Sequence, residues 1–135
     1  MDNAFKLEIV TPQRTVFKGD VQSISAPGAL GGFQVLVNHA PLMSSLRIGE
    51  VKVVDPDGSQ TVFATSGGFV EVRKNVVTLL AETAESAEEI DVKRAKEAQD
   101  RSKERIKNRT AEVDVDRARL SLLRALNRLK IAGKA

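Results

Sequence analysis

Ser86-Ala87-Glu88-Glu89-Ile90-Asp91-Val92-Lys93-Arg94-Ala95 divides this chain into two kinds of sequence. Before it, apolar and polar residues alternate in short runs, the period of half-buried strands. After it the apolar spacing lengthens to three and four, the period of helices. The stretch itself reads as the start of the first helix. Ser86 and Glu89 have capping-box spacing, and Asp91 is a rival N-cap or first-turn acid, favoured by the helix dipole.

Upstream, Phe5-Lys6-Leu7-Glu8-Ile9 alternates strictly, and Val51-Lys52-Val53 and Val70-Glu71-Val72-Arg73 repeat the pattern. Further strands are expected at 15–17, 21–26, 33–36, 61–64 and 76–80. Turn residues separate them: Gly19-Asp20, Pro27-Gly28, Asn38 to Pro41, Asp55-Pro56-Asp57-Gly58 and Lys74-Asn75. Short strands with regular turns predict an antiparallel β-sandwich or flattened barrel. No βαβ unit is visible, so no parallel pairing is expected. Ser66-Gly67-Gly68 reads as a tight backbone corner between two strands. It does not lie on a strand-to-helix turn, so it is no nucleophile elbow.

Downstream, the first helix is expected to run to about Asn108, with a break near Thr110 and a second helix from Asp114 to about Ile131. Apolar positions on the first are few: Ala95 and Ala98, with Val92 and Ile106 near the ends. Glu89/Lys93 and Glu97/Arg101 support it by a few tenths of a kcal/mol each, on the order of measured i,i+4 pairs. The second helix carries a seam, Val115, Ala118, Leu122, Ala125 and Leu129, widened by Leu123 and Leu126. The fold class is therefore α+β, a sandwich followed by an antiparallel two-helix hairpin. The domain division falls at 1–86 and 87–135.

Composition excludes several functions. The 135 residues contain no cysteine, tryptophan or tyrosine and five phenylalanines. Thiolate metal sites and aromatic platforms for single-stranded nucleic acid are thereby ruled out or nearly so. No apolar run is long enough to span a bilayer. The sole histidine, His39, has no metal-ligating neighbours and reads as a loop residue bonded to backbone. No catalytic constellation can be assembled, so the chain reads as a non-catalytic partner-binding or regulatory protein.

Charge is uneven. Residues 1–84 hold seven basic and eight acidic side chains, and residues 85–135 hold fourteen and ten. Arg117, Arg124 and Arg128 are spaced i, i+7, i+11, and Arg94, Arg101 and Arg105 repeat that spacing on the first helix. Two readings stay open: solvated face charges, or two stripes converging on a polyanion, since guanidinium grips phosphate bidentately. A nucleic-acid-binding hairpin is the rival function. The interspersed carboxylates and a helical net charge of only +4 weigh against it.

Five strings carry a resemblance to a known family: Leu7-Glu8-Ile9-Val10-Thr11-Pro12, Ser25-Ala26-Pro27-Gly28, Asn38-His39-Ala40-Pro41-Leu42, Ser66-Gly67-Gly68-Phe69-Val70-Glu71-Val72 and Ala81-Glu82-Thr83-Ala84-Glu85. In this order they resemble the epsilon subunits of bacterial and chloroplast-type F-type ATP synthases. The resemblance implies a central-stalk subunit, peripheral to the cell membrane on its cytoplasmic side. Its sandwich would dock on the gamma subunit and the c-ring and help couple proton flow to rotation. Its helical pair would extend into the alpha/beta catalytic hexamer to inhibit ATP hydrolysis, or fold down against the sandwich.

Ile90-Asp91-Val92-Lys93-Arg94-Ala95 resembles that family's ATP-binding motif. The resemblance implies ATP as an allosteric ligand, with magnesium as a candidate companion and no catalytic cofactor. Site residues carried over are Glu85, Ile90, Asp91, Arg94, Ala95, Arg101, Arg117, Arg124 and Arg128. Interface candidates are Phe33, His39 and Leu42. In Gly31-Gly32-Phe33-Gln34 a glycine stands where many members carry an acidic residue, which leaves Phe33 and backbone for that contact.

Overall fold

The computed structural model describes residues 3–108 and 114–133. Eight strands come first: β1 (Phe5–Val10), β2 (Thr15–Val21), β3 (Ser23–Gly28), β4 (Gly31–Val35), β5 (Leu42–Val54), β6 (Gln60–Arg73), β7 (Val76–Ala81) and β8 (Ala84–Ser86). Two helices follow, α1 (Val92–Lys107) and α2 (Val115–Ala132). The expected break near Thr110 lies outside the described residues.

The strands form a β-sandwich in the order β2-β1-β7-β6-β5-β3-β4, with β8 also on β6. Its long members are β5 and β6, of 13 and 14 residues. β6 pairs with β8 over Phe63–Thr65 and with β7 over Gly68–Arg73. Where the two stretches meet stand Gly67 and the first residue of the second, Gly68, with φ of 82° and 144°. The expected glycine corner is present, but it bends one continuous strand instead of joining two.

One pairing departs from the expectation. β1 and β7 run parallel, from Lys6↔Val76 to Val10↔Leu80. A parallel neighbour requires a long connection, and here the connection is the intervening sandwich itself, so no crossover helix is needed.

Alternation fills the interior as it predicted. Phe5, Leu7 and Ile9 point inward beside Val21, Ile24, Val35, Val51, Val53, Val70, Val77 and Leu79. Lys6 lies on the exposed side. Each such side chain contributes roughly 1.5–3 kcal/mol by leaving water.

Asp91 caps α1, its Oδ1 accepting from the Arg94 N–H at 3.0 Å. Asp114 caps α2 in the same way through the Arg117 N–H. Ser86 and Glu89 do bond to each other, Glu89 N–H to the Ser86 backbone C=O, and both the Ser86 N–H and its hydroxyl to Glu89 Oε1, so only the glutamate half of a capping box is formed. They close a turn ahead of the helix, because the chain is not helical until it has passed Asp91. The expectation that this box starts α1 is thus corrected.

α1 packs chiefly on α2. The buried residues of α1 are Ala95 and Ser102, and those of α2 include Ala118 and Ala125. Small residues at seven-residue spacing let the two backbones approach closely. Leu123 and Leu126 do not widen this seam: they are 52% and 41% exposed. At about 100° per residue Leu123 falls on the far side of α2 from Ala125 and Leu126 on its flank. Val92 is likewise exposed.

Candidate functional site: the face of α2 against the sandwich

α2 presents a second face, distinct from its seam, to β5 and β6. Arg124, Asn127, Arg128 and Ile131 recur at i, i+3, i+4 and i+7 and therefore share one side of the helix. Ile131 is fully buried in a cluster with Ala64, Ala87 and Ile90. Asn127 Nδ2 donates to the Gly49 carbonyl at 2.9 Å and reaches the Thr65 carbonyl at 3.5 Å. Arg128 Nε donates to Glu85 Oε1 at 2.6 Å, with both side chains about 70% covered, at 29% and 31% exposure. Arg124 Nη2 lies 3.8 Å from Glu82 Oε2, a looser and more solvated pair. Between helix and sheet, Thr65, Ser66, Thr83, Arg124, Asn127 and Arg128 line a small cleft of about 10 Å³, space for about one water.

The expected site residues are distributed as follows. Glu85, on β8, and Arg128 are joined directly. Ile90 is buried beside Ile131. The Asp91 carboxylate is occupied by its capping bond. Ala95 is buried on the inner side of α1. Arg94, Arg101 and Arg117 are exposed and form no ion pair among the described residues. Arg124 is half-buried. Among the described residues the arginines therefore fall into two sets: Arg124 and Arg128, paired with carboxylates of the sandwich, and Arg94, Arg101 and Arg117, exposed and without an ion pair.

Just upstream, the Glu89 carboxylate accepts from the Ser86 hydroxyl at 2.9 Å and from Arg14 Nη2 at 2.9 Å. These donors, Ser86 first, hold its carboxyl below the usual carboxylate range.

At the interface candidates, His39 Nδ1 sits 2.6 Å from the Ala40 carbonyl, the backbone bond expected of a loop histidine. Asn38, at φ 62°, is held by Asn75 through two hydrogen bonds. Phe33 and Leu42 are half-buried against the core. The apolar side chains that do face solvent in this region are Leu30, Leu36 and Met43. The sequence reading missed these three. It also missed Asn127, Ile131, Glu82 and the Arg14–Glu89 pair. Asn127 and Ile131 could have been found, since they share a helical face with Arg124 and Arg128. Among the described residues, no acidic or histidine cluster could hold a metal ion. No helix among them is long and apolar enough to cross a membrane.

Comparison with known proteins covers both parts of the fold. The family "ATP synthase, Delta/Epsilon chain, beta-sandwich domain" matches residues 4–87. The family "ATP synthase, Delta/Epsilon chain, long alpha-helix domain" matches residues 88–133. A relative from Pelotomaculum thermopropionicum named ATP synthase epsilon chain is 52% identical over 133 residues, covering 98% of each chain. The protein of that name from Desulforamulus reducens is 42% identical over 127 residues, covering 94% of this chain and 96% of its own. In fold, the chain superposes with a TM-score of 0.82 on part of the Euglena gracilis mitochondrial ATP synthase structure that contains OSCP, F1 and the c-ring. That match has 20% identity and covers 98% of this chain and 82% of the other. With sandwich and helices both matched in order and at near-full length, the chain belongs to the ATP synthase delta/epsilon chain family.

Proposed function

We propose that this chain is the epsilon subunit of an F-type ATP synthase, a non-catalytic central-stalk protein that helps couple proton flow to rotary ATP synthesis. Residues 1–86 dock on the gamma subunit and the c-ring at the cytoplasmic face of the membrane, with Phe33, His39 and Leu42 near the contact. Residues 87–135 form a mobile regulatory hairpin. Folded down it rests on the sandwich, and extended it reaches the alpha/beta hexamer and restrains ATP hydrolysis. ATP binds the hairpin as an allosteric ligand through Asp91, Arg94 and the arginines of α2. It shifts the balance only by its affinity difference between the two states.

One observation carries this reading. The hairpin touches the sandwich mainly along one side of α2, around Ile131, Asn127 and Arg128, while α1 packs chiefly on α2. A contact this narrow suits two packings separated by a few kcal/mol.

The test adds the full chain to a purified alpha–beta–gamma complex and follows ATP hydrolysis while ATP is varied. Inhibition that is relieved as ATP rises supports the proposal, and an unaffected rate at every ATP concentration sinks the regulatory part. Calorimetric titration of the isolated chain with ATP, with and without magnesium, tests binding directly.

A further inference from the structure

The loop 36–41 carries the chain from β4 to β5, and His39 stands in it, half-buried. Apolar side chains flank it in solvent: Leu36 is 53% exposed and Met43, just beyond the loop, 65%. Val37 packs against the core. Among the described residues, the hydrogen bonds that tie this loop to another element both come from one side chain, Asn75. Its Oδ1 accepts from the Asn38 N–H at 2.6 Å, and its Nδ2 donates to Asn38 Oδ1 at 3.0 Å.

Asn75 lies in the turn between β6 and β7, where Lys74 and Asn75 have φ of 50° and 60°. Two consecutive positive φ values are those of a type I′ hairpin turn, and asparagine tolerates them better than most residues. Asn38 has a φ of 62°. Both asparagines thus stand in the left-handed region, with their side chains paired across the gap between loop and turn. The pairing uses the Asn75 amide as acceptor and donor at once. A carboxylate there would lack the donor, and a glycine would keep the φ but have nothing to reach across with.

We infer that Asn75 is a positioning residue for the subunit contact proposed above. With Asn38 it clamps the loop, so that His39 and the flanking Leu36 and Met43 meet the gamma subunit and the c-ring in a set conformation. The inference rests on the docking reading of this loop and adds the device that shapes it. A loose loop would have to be ordered at the moment of association, and that entropy would be subtracted from the affinity. The clamp moves this ordering into folding. Asn75 itself need touch no partner.

The experiment uses the full chain and a purified assembly of gamma subunit and c-ring. Asn75→Gly keeps the φ of the turn and deletes the clamp, and Asn38→Gly does the same from the loop. In Asn75→Gly the Asn38 amide exchanges its hydrogen several-fold faster, while β1 amides keep their protection. Each glycine variant binds the assembly about three- to tenfold more weakly. The double variant binds no more weakly than the weaker single one, because a single interaction has been removed twice. Unchanged exchange of the Asn38 amide overturns the clamp. Faster exchange with unchanged affinity makes the pair a local brace only and overturns the positioning role, as do additive losses in the double variant.

His39→Ala and Met43→Ser test the docking reading separately, and both weaken binding if this loop is at the contact. Losses in these two with none in Asn75→Gly overturn the positioning role alone. Should both bind as tightly as the unsubstituted chain, or the unsubstituted chain fail to bind, the docking reading fails and the positioning role falls with it.

Discussion

Arg14, in the corner between β1 and β2, donates to the Glu89 carboxylate, 75 positions further along the chain, at 2.9 Å. The same carboxylate closes the Ser86 turn that precedes α1. One side chain thus ties the first hairpin of the sandwich to the segment from which the helices depart.

That arrangement makes the segment sensitive to acid. The Glu89 carboxyl lies below its ordinary 4.5 in the folded chain, through the Ser86 hydrogen bonds and then the Arg14 charge. A lowered carboxyl stabilises the fold above the unfolded value and loses that contribution as pH falls through the folded one. Between pH 7 and pH 5.5 the contribution is constant, and from about 4.5 downward it diminishes until the pH has passed the lowered folded value. Glu89→Gln should remove this part of the acid dependence, which urea unfolding at a series of pH values would read. An acid limb identical in both proteins counts against the assignment.

Gly68 is the most closely hemmed in of the described glycines. A β-carbon there would lie 2.0 Å from the Leu80 carbonyl oxygen, at a φ of 144° that side chains rarely adopt. Because both obstacles are backbone, neither can yield cheaply. Gly68→Ala should cost on the order of 3 kcal/mol or more, seen as a lower urea midpoint. Gly58→Ala, whose β-carbon would meet nothing within 4 Å, should cost clearly less, though its φ of 89° still strains the turn. Equal losses would show that φ alone, not the close approach, dominates.

Close packing of the helices makes a similar contrast. Ala125 is 0% exposed, whereas Leu123, two residues before it, is 52% exposed. Ala125→Leu should destabilise the helical pair by about 1–3 kcal/mol through overpacking. Leu123→Ser should stay within about 0.5 kcal/mol. Hydrogen exchange in α1 and α2 separates the two, and strong loss in the Leu123 variant would mean that this face is covered after all.

Arg94 has an exposed side chain with no ion-pair partner among the described residues, so its removal should leave the fold intact. Arg94→Ala should nevertheless weaken ATP binding about tenfold or more, since a hydrogen bond to a charged group contributes roughly 1.5–3 kcal/mol. Unchanged calorimetric affinity beside an unchanged urea midpoint would remove Arg94 from the site. Asp91→Ala is a less clean probe, because the lost cap alone costs about 1 kcal/mol.

How much of this was legible in the sequence follows from the range of each interaction. Strand alternation in Phe5–Ile9, Asp91 as the rival N-cap, and the positions of both helices are set by neighbours a few residues away. Those readings match the structure. The capping box at Ser86 was a true local signal attached to the wrong element, because spacing alone cannot tell a capped turn from a capped helix. Of the site, sequence spacing placed Arg124 and Arg128 on one stripe of α2, and the resemblance added Glu85.

Only the tertiary structure could show that Glu85 and Arg128, 43 positions apart, form a contact of 2.6 Å. The parallel pairing of β1 with β7, the Arg14–Glu89 tie and the exposure of Leu123 and Leu126 belong to the same class. A side chain's period says which face it occupies. What covers that face is decided by where distant segments come to rest, and that depends on how the whole core closes.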